Sequence, residues 1–146
     1  MFRVWGEERA LKMSHSYKDL IVWQRARTLA GEVYRATEGF PAKEVYGLTS
    51  QMRRAAVSVV SNIAEGQGRL TKGEFQQFLG HARGSLLELE SQIAIALDLK
   101  YLDTGESSGF ESKTVEVRRL LNGLIESLRA RSTAAKSEST RSKLET

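Results

Sequence analysis

The sequence predicts an all-α fold, an up-down-up-down antiparallel four-helix bundle, and three observations point there. A single proline in 146 residues leaves few of the breaks that punctuate chains of strands and loops. No segment alternates apolar and polar residues long enough to read as a strand. Four segments instead carry apolar residues at the three- and four-residue spacing of a helix with one buried face, joined by short connections.

The first helix is expected from Tyr17 to Thr37, capped by Ser16, with Asp19 in its first turn. Trp23, Ala26, Ala30 and Val33 share a face, flanked by Val22, Leu29 and Tyr34, and Gly39 before Phe40-Pro41 ends it. The second is expected from Lys43 to Glu65. Its Leu48, Met52, Ala55, Val59 and Asn62 follow a 4-3-4-3 spacing, and Ala56, Val60 and Ile63 widen the stripe. The third runs from Lys72 to Lys100. Thr71 and Glu74 form a capping box ahead of a stripe of Phe75, Phe78, Ala82, Leu86, Leu89, Ile93 and Ala96. The fourth is expected from Glu111 to Arg131 through Val117, Leu121, Leu124 and Leu128, with TGESSG before it as a loop.

Three stretches follow from this reading. Residues 1–13 form an N-terminal extension that fits the bundle poorly. Either Met13 is the true initiator, or the segment is ordered with Trp5 as its anchor. Residues 14–131 form the bundle. Residues 132–146, small, polar and charged, are expected to be a disordered tail.

Composition narrows the function classes. There are no cysteines and only two histidines, His15 and His81, so no disulfide framework, metal centre or cofactor is expected. No apolar run approaches the ~20 residues of a membrane span, and MFRVWGEERALK is not a secretory signal. A cytoplasmic protein is expected by default. The net charge of +4 permits nucleic-acid binding without requiring it, because such binding rests on clustered Lys and Arg. An enzyme is not expected. The Glu-x-x-His motif of bundle active sites is missing, and Ser58, Ser61 and Ser85 have no histidine at a spacing that suggests activation.

The stretch SNIAEGQGR, residues 61–69, carries an unusual set of residues. A phosphate-cradling loop would need a strand before its glycines, and here a helix precedes them. Gly66 is expected to close the helix in a left-handed conformation. Asn62 lies on or beside the apolar seam, where a buried amide must be hydrogen-bonded and can fix register or oligomer state. Glu65 sits at the unfavourable end of the helix dipole and calls for a basic partner, either Arg69 or one of Arg53 and Arg54. The group reads either as a polar knot between the second and third helices, or across a subunit boundary, or as a ligand site.

DLIVWQRARTLAGEVYRAT (19–37), FP (40–41), YGLTSQMRRAAVSVVSNIAEGQGR (46–69), EFQQFLGHARGSLLELESQI (74–93) and ALDLKYL (96–102) together resemble a bacterial four-helix bundle family. Its first members were described as intervening-sequence proteins, encoded in insertions within large-subunit ribosomal RNA genes. The accessory proteins of diversity-generating retroelements are similar. The likeness covers roughly residues 16–130 and excludes the first twelve residues and the tail. It implies a four-helix bundle without enzymatic activity, assembly as a ring of five with a basic surface, and nucleic acid or a reverse transcriptase as partner.

The functional expectation is a non-enzymatic oligomer that binds RNA, or DNA, through phosphates with little sequence preference. The candidate contacts are Arg25, Arg27, Arg35, Arg69, Lys72 and Arg83. Arg53 and Arg54, with small apolar neighbours, suit a subunit or structural network with Asn62, Glu65 and Gly66 at least as well as a ligand. The run Ala55, Ala56, Val57, Val59, Val60 leaves more apolar surface than one bundle core is expected to cover, which argues for a closed homo-oligomer. The alternative is an assembly or adaptor protein that binds a protein partner and no nucleic acid.

Overall fold

Helix boundaries in this chain are set by a few polar contacts, and they differ from the sequence reading in instructive places. The computed structural model describes residues 16–145, so the alternatives for residues 1–13 lie outside the described residues. Four helices, α1 (Ile21–Thr37), α2 (Leu48–Gln67), α3 (Lys72–Asp98) and α4 (Thr104–Leu144), are joined by short links, with 3-10 turns at Tyr17–Asp19 and Ala42–Glu44 and no strand among the described residues. Each helix packs on its chain neighbours and α1 closes on α4, which is the expected antiparallel bundle.

Ser16 does cap, but it caps the separate 3-10 turn, accepting from the Lys18 amide at 3.3 Å. Extended Leu20 then resets the chain before α1. α2 begins at Leu48 rather than Lys43. The Glu44 carboxylate accepts the Leu48 amide at 2.9 Å, so a side chain four residues upstream satisfies a free helix-start donor. α4 starts at Thr104, not Glu111. Asp103 accepts the Glu106 amide at 2.7 Å and the Glu106 side chain accepts the Asp103 amide at 3.2 Å. This reciprocal capping box makes helix of the TGESSG stretch that was expected to be a loop.

Gly66 is not a left-handed cap. No glycine among the described residues has positive φ, and the one such residue is Lys100, φ 62, after α3. Gly66 lies buried inside α2, where an added Cβ would stand 2.9 Å from Phe78 Cβ and 3.1 Å from Phe75 Cδ1. The glycine is there so that α3 can approach.

The core is formed by one stripe per helix. On α1 it is Val22, Ala26, Leu29 and Val33, one residue round from the expected face, with Trp23 and Ala30 half-buried at its edge. Met52, Val59 and Ile63 of α2 meet Leu79, Leu86 and Leu89 of α3 and Val117 and Leu121 of α4, all essentially fully buried. Each such side chain contributes roughly 1.5–3 kcal/mol relative to exposure. On α2, Ala55, Ala56 and Val59 are buried, Val60 is half-buried, and Val57 alone of that run is exposed. One bundle core therefore covers most of the run, contrary to the expectation. Past Leu128 every described side chain of α4 is exposed, yet the helix continues to Leu144. Residues 132–144 are thus helical, not a disordered tail.

Candidate nucleic-acid interface

Cations on a bundle surface differ in how far other groups already claim them. Arg25, on the α4 side of α1, pairs with Glu116 at 2.9 Å. Arg83 of α3 donates to Asn122 of α4 at 3.2 Å. Arg69, in the α2–α3 turn, pairs loosely with Glu65 at 3.8 Å and lies over the Phe78 ring, 4.4 Å from its centroid. Arg27 lies 5.5 Å over the Trp23 ring. Arg35, with its guanidinium against Gly31, and Lys72 are exposed, and neither has an acidic partner among the described residues. The six expected phosphate contacts are thus spread over α1, the α2–α3 turn and α3 rather than gathered into one patch.

The two helix-2 arginines part company. Arg53 turns inward toward the end of α1. Its Nε donates to Thr37 Oγ1 at 2.9 Å, an Nη donates to the Tyr34 carbonyl at 3.3 Å, and its plane lies 4.6 Å over the Tyr34 ring. It therefore ties α2 to the last turn of α1 within one chain. Arg54 points out, exposed and without an acidic partner among the described residues. It sits between two clefts, one of about 490 Å³ against the α1–α2 link and one of about 300 Å³ between α2 and α3.

Asn62 is half-buried. Its Nδ2 donates to the Ser58 carbonyl at 2.8 Å and to Ser58 Oγ at 3.0 Å, and Ser58 Oγ meets Ser85 Oγ of α3 at 2.8 Å. Asn62 is thereby linked to α3 through two serines, while Arg53 and Glu65 take other partners. Glu65 finds Arg69 as its basic neighbour. Both are largely exposed, so the pair contributes little.

Sequence reasoning missed the pairs that hold α4 in place. Arg118 donates from one Nη to both oxygens of Glu90 of α3 at 2.7 and 2.9 Å, and Lys113 pairs with Glu32 of α1. Contacts between helices distant in sequence leave no local signal, although the opposite charges on facing helices were there to be matched. No group of three metal-binding side chains occurs among the described residues. His81 is exposed, with its ring edge-on to Phe78 at 6.0 Å. No helix among the described residues is long and apolar enough to cross a membrane.

The fold has solved counterparts. The crystal structure of a protein of unknown function from the S23 ribosomal protein family, from Bacteroides thetaiotaomicron VPI-5482, superposes with a TM-score of 0.65 at 18% identity. The match covers 72% of this chain and 98% of that one. At that identity it bears on the fold alone. No curated protein matches the chain. The family model described as 23S rRNA-intervening sequence protein matches residues 18–123, from the turn before α1 to the middle of α4, and the chain belongs to that family.

Proposed function

We propose that the protein is a non-enzymatic RNA-binding bundle that acts as a homo-oligomer and contacts phosphates with little sequence preference. The observation that carries this reading is the state of its cations. Arg35, Arg54 and Lys72 have no acidic partner among the described residues, while Arg27 and Arg69 lie over aromatic rings and remain exposed, Arg69 with a loose pair to Glu65. A guanidinium stacked on a ring keeps its donors free for phosphate and loses less freedom on binding. The family's name, which ties it to intervening sequences of 23S rRNA, supports RNA as the ligand. Assembly, with five subunits as the family resemblance implies, multiplies contacts that are individually weak.

The test is binding of a fluorescent single-stranded RNA at low and high salt, with the mass in solution from light scattering. Binding that weakens steeply with salt, by an oligomer, supports the reading. No binding at low salt favours an adaptor for a protein partner, such as a reverse transcriptase. A monomer at micromolar concentration removes the assembly part.

A further inference from the structure

The distribution of charge between the packed bundle and the end of α4 assigns a role to a segment that the bundle itself does not use. Residues 16–128, which hold every buried side chain among the described residues, contain fourteen Lys and Arg against fourteen Asp and Glu. The bundle proper is therefore electrically neutral. Residues 129–144 contain Arg129, Arg131, Lys136, Arg141 and Lys143 against the single acid Glu138. This one stretch carries a net charge equal to the +4 of the whole chain.

The stretch is helical, and all its described side chains are exposed. Sixteen residues at 1.5 Å each make a rod about 24 Å long. Arg129, Lys136 and Lys143 stand seven residues apart, so they line one face with only about 20° of drift per repeat. Arg131 and Arg141 project on other sides. Among the described residues, Arg129 pairs with Glu126 at 3.1 Å and Arg141 with Glu145 at 3.3 Å, both within the helix and well exposed. Such pairs are worth little in water and are readily exchanged for phosphate.

We propose that residues 129–144 are an electrostatic arm that grips the phosphate backbone of nucleic acid and adds most of the long-range attraction to the contacts made by the exposed bundle cations. The inference rests on the RNA-binding reading and adds a second set of contacts to it. The rod's length matches about seven base steps of a duplex at about 3.4 Å each. An anionic membrane is a poorer occupant, because a helix that lies on a bilayer needs an apolar face. The only large apolar residue here is Leu144. With its described side chains all exposed, a segment of this length is marginal as a helix, so phosphates that neutralise its charges also stabilise its structure.

The test uses the full chain carrying K136E, R141E and K143E together. All three positions are exposed and outside the core, so the thermal midpoint of the bundle should be unchanged. Binding is measured against a single-stranded RNA, a duplex DNA and vesicles of phosphatidylglycerol. The expected result is a loss of affinity for RNA of at least about tenfold at low salt, with the slope of log affinity against log salt shallower by about 2. Equal loss for DNA identifies general phosphate contact, and loss for RNA alone adds a reading of RNA shape. Unchanged RNA affinity in the variant overturns the arm while leaving the RNA-binding reading intact. A parent chain that binds neither nucleic acid at low salt removes both, and binding to vesicles alone replaces nucleic acid with a membrane surface.

Discussion

Glycine inside a helix is ordinarily a weakness, and replacing it with alanine ordinarily stabilises by about 1 kcal/mol. Gly66 should behave in the opposite way. Its added methyl would meet Phe78 Cβ at 2.9 Å, Phe75 Cδ1 at 3.1 Å and the Phe75 carbonyl oxygen at 3.3 Å. The first and third of these belong to atoms that cannot swing aside without moving α3. Overpacking of this kind costs about 1–3 kcal/mol, which offsets or exceeds the propensity gain. Gly66→Ala is therefore expected to bring no stabilisation and to destabilise by up to about 2 kcal/mol, a drop in midpoint temperature of up to about 8 °C for a domain of this size. Gly123 of α4 is the internal control, since nothing lies within 4 Å of its added Cβ. Gly123→Ala should stabilise by about 0.5–1 kcal/mol. Both variants are compared with the parent by thermal and urea unfolding at one protein concentration. If Gly66→Ala raises the midpoint as Gly123→Ala does, the close approach of α2 and α3 at this point is wrong.

Two further substitutions separate structural arginines from ligand-facing ones. Arg53→Ala should lower stability in urea by about 1–2 kcal/mol through loss of its Thr37, Tyr34 carbonyl and Tyr34 ring contacts, and leave the mass in light scattering unchanged. A change in mass with little change in stability would place it at a subunit boundary instead. Replacing Arg27 and Arg35 with Glu should leave the bundle folded and the oligomer intact. It should weaken RNA binding less than the α4 variant does, with the salt slope shallower by at most about 1.4. A larger effect from these two would return the main contact to α1.

The architecture was legible because each helix has a stripe whose period survives in the sequence. Met52, Ala55 and Val59 on α2, and Leu86, Leu89 and Ile93 on α3, are buried as that period requires. Contacts between helices are less legible. Gly-Gln-Gly at 66–68 does mark the end of α2, which closes at Gln67 with Gly68 as its cap, but the reason for Gly66 itself is its contact with Phe75 and Phe78 of α3, which has no signature in α2. The α4 start has a local signal, since Asp103 and Glu106 stand three apart as a capping box does, although TGESSG has the composition of a loop. On α1, Ala26 and Val33 are buried as expected, while Val22 and Leu29 take the places of Trp23 and Ala30 in the stripe; the Trp23 ring lies at its boundary, with Arg27 above it and Tyr17 edge-on at 5.2 Å. Of the candidate site, the sequence could name the cations but not their partners. Arg25 and Arg53 are claimed by Glu116 and Thr37, residues on other helices, and only folding reveals that.

The most direct test of the whole account is the salt dependence of RNA affinity for the unaltered chain between about 50 and 200 mM salt. If phosphates are held by the four net charges of the α4 arm, the slope of log affinity against log salt is about −3 for each arm engaged on a single strand. A slope near zero, with binding retained, would mean that the ligand is held by something other than its phosphates and would contradict the account.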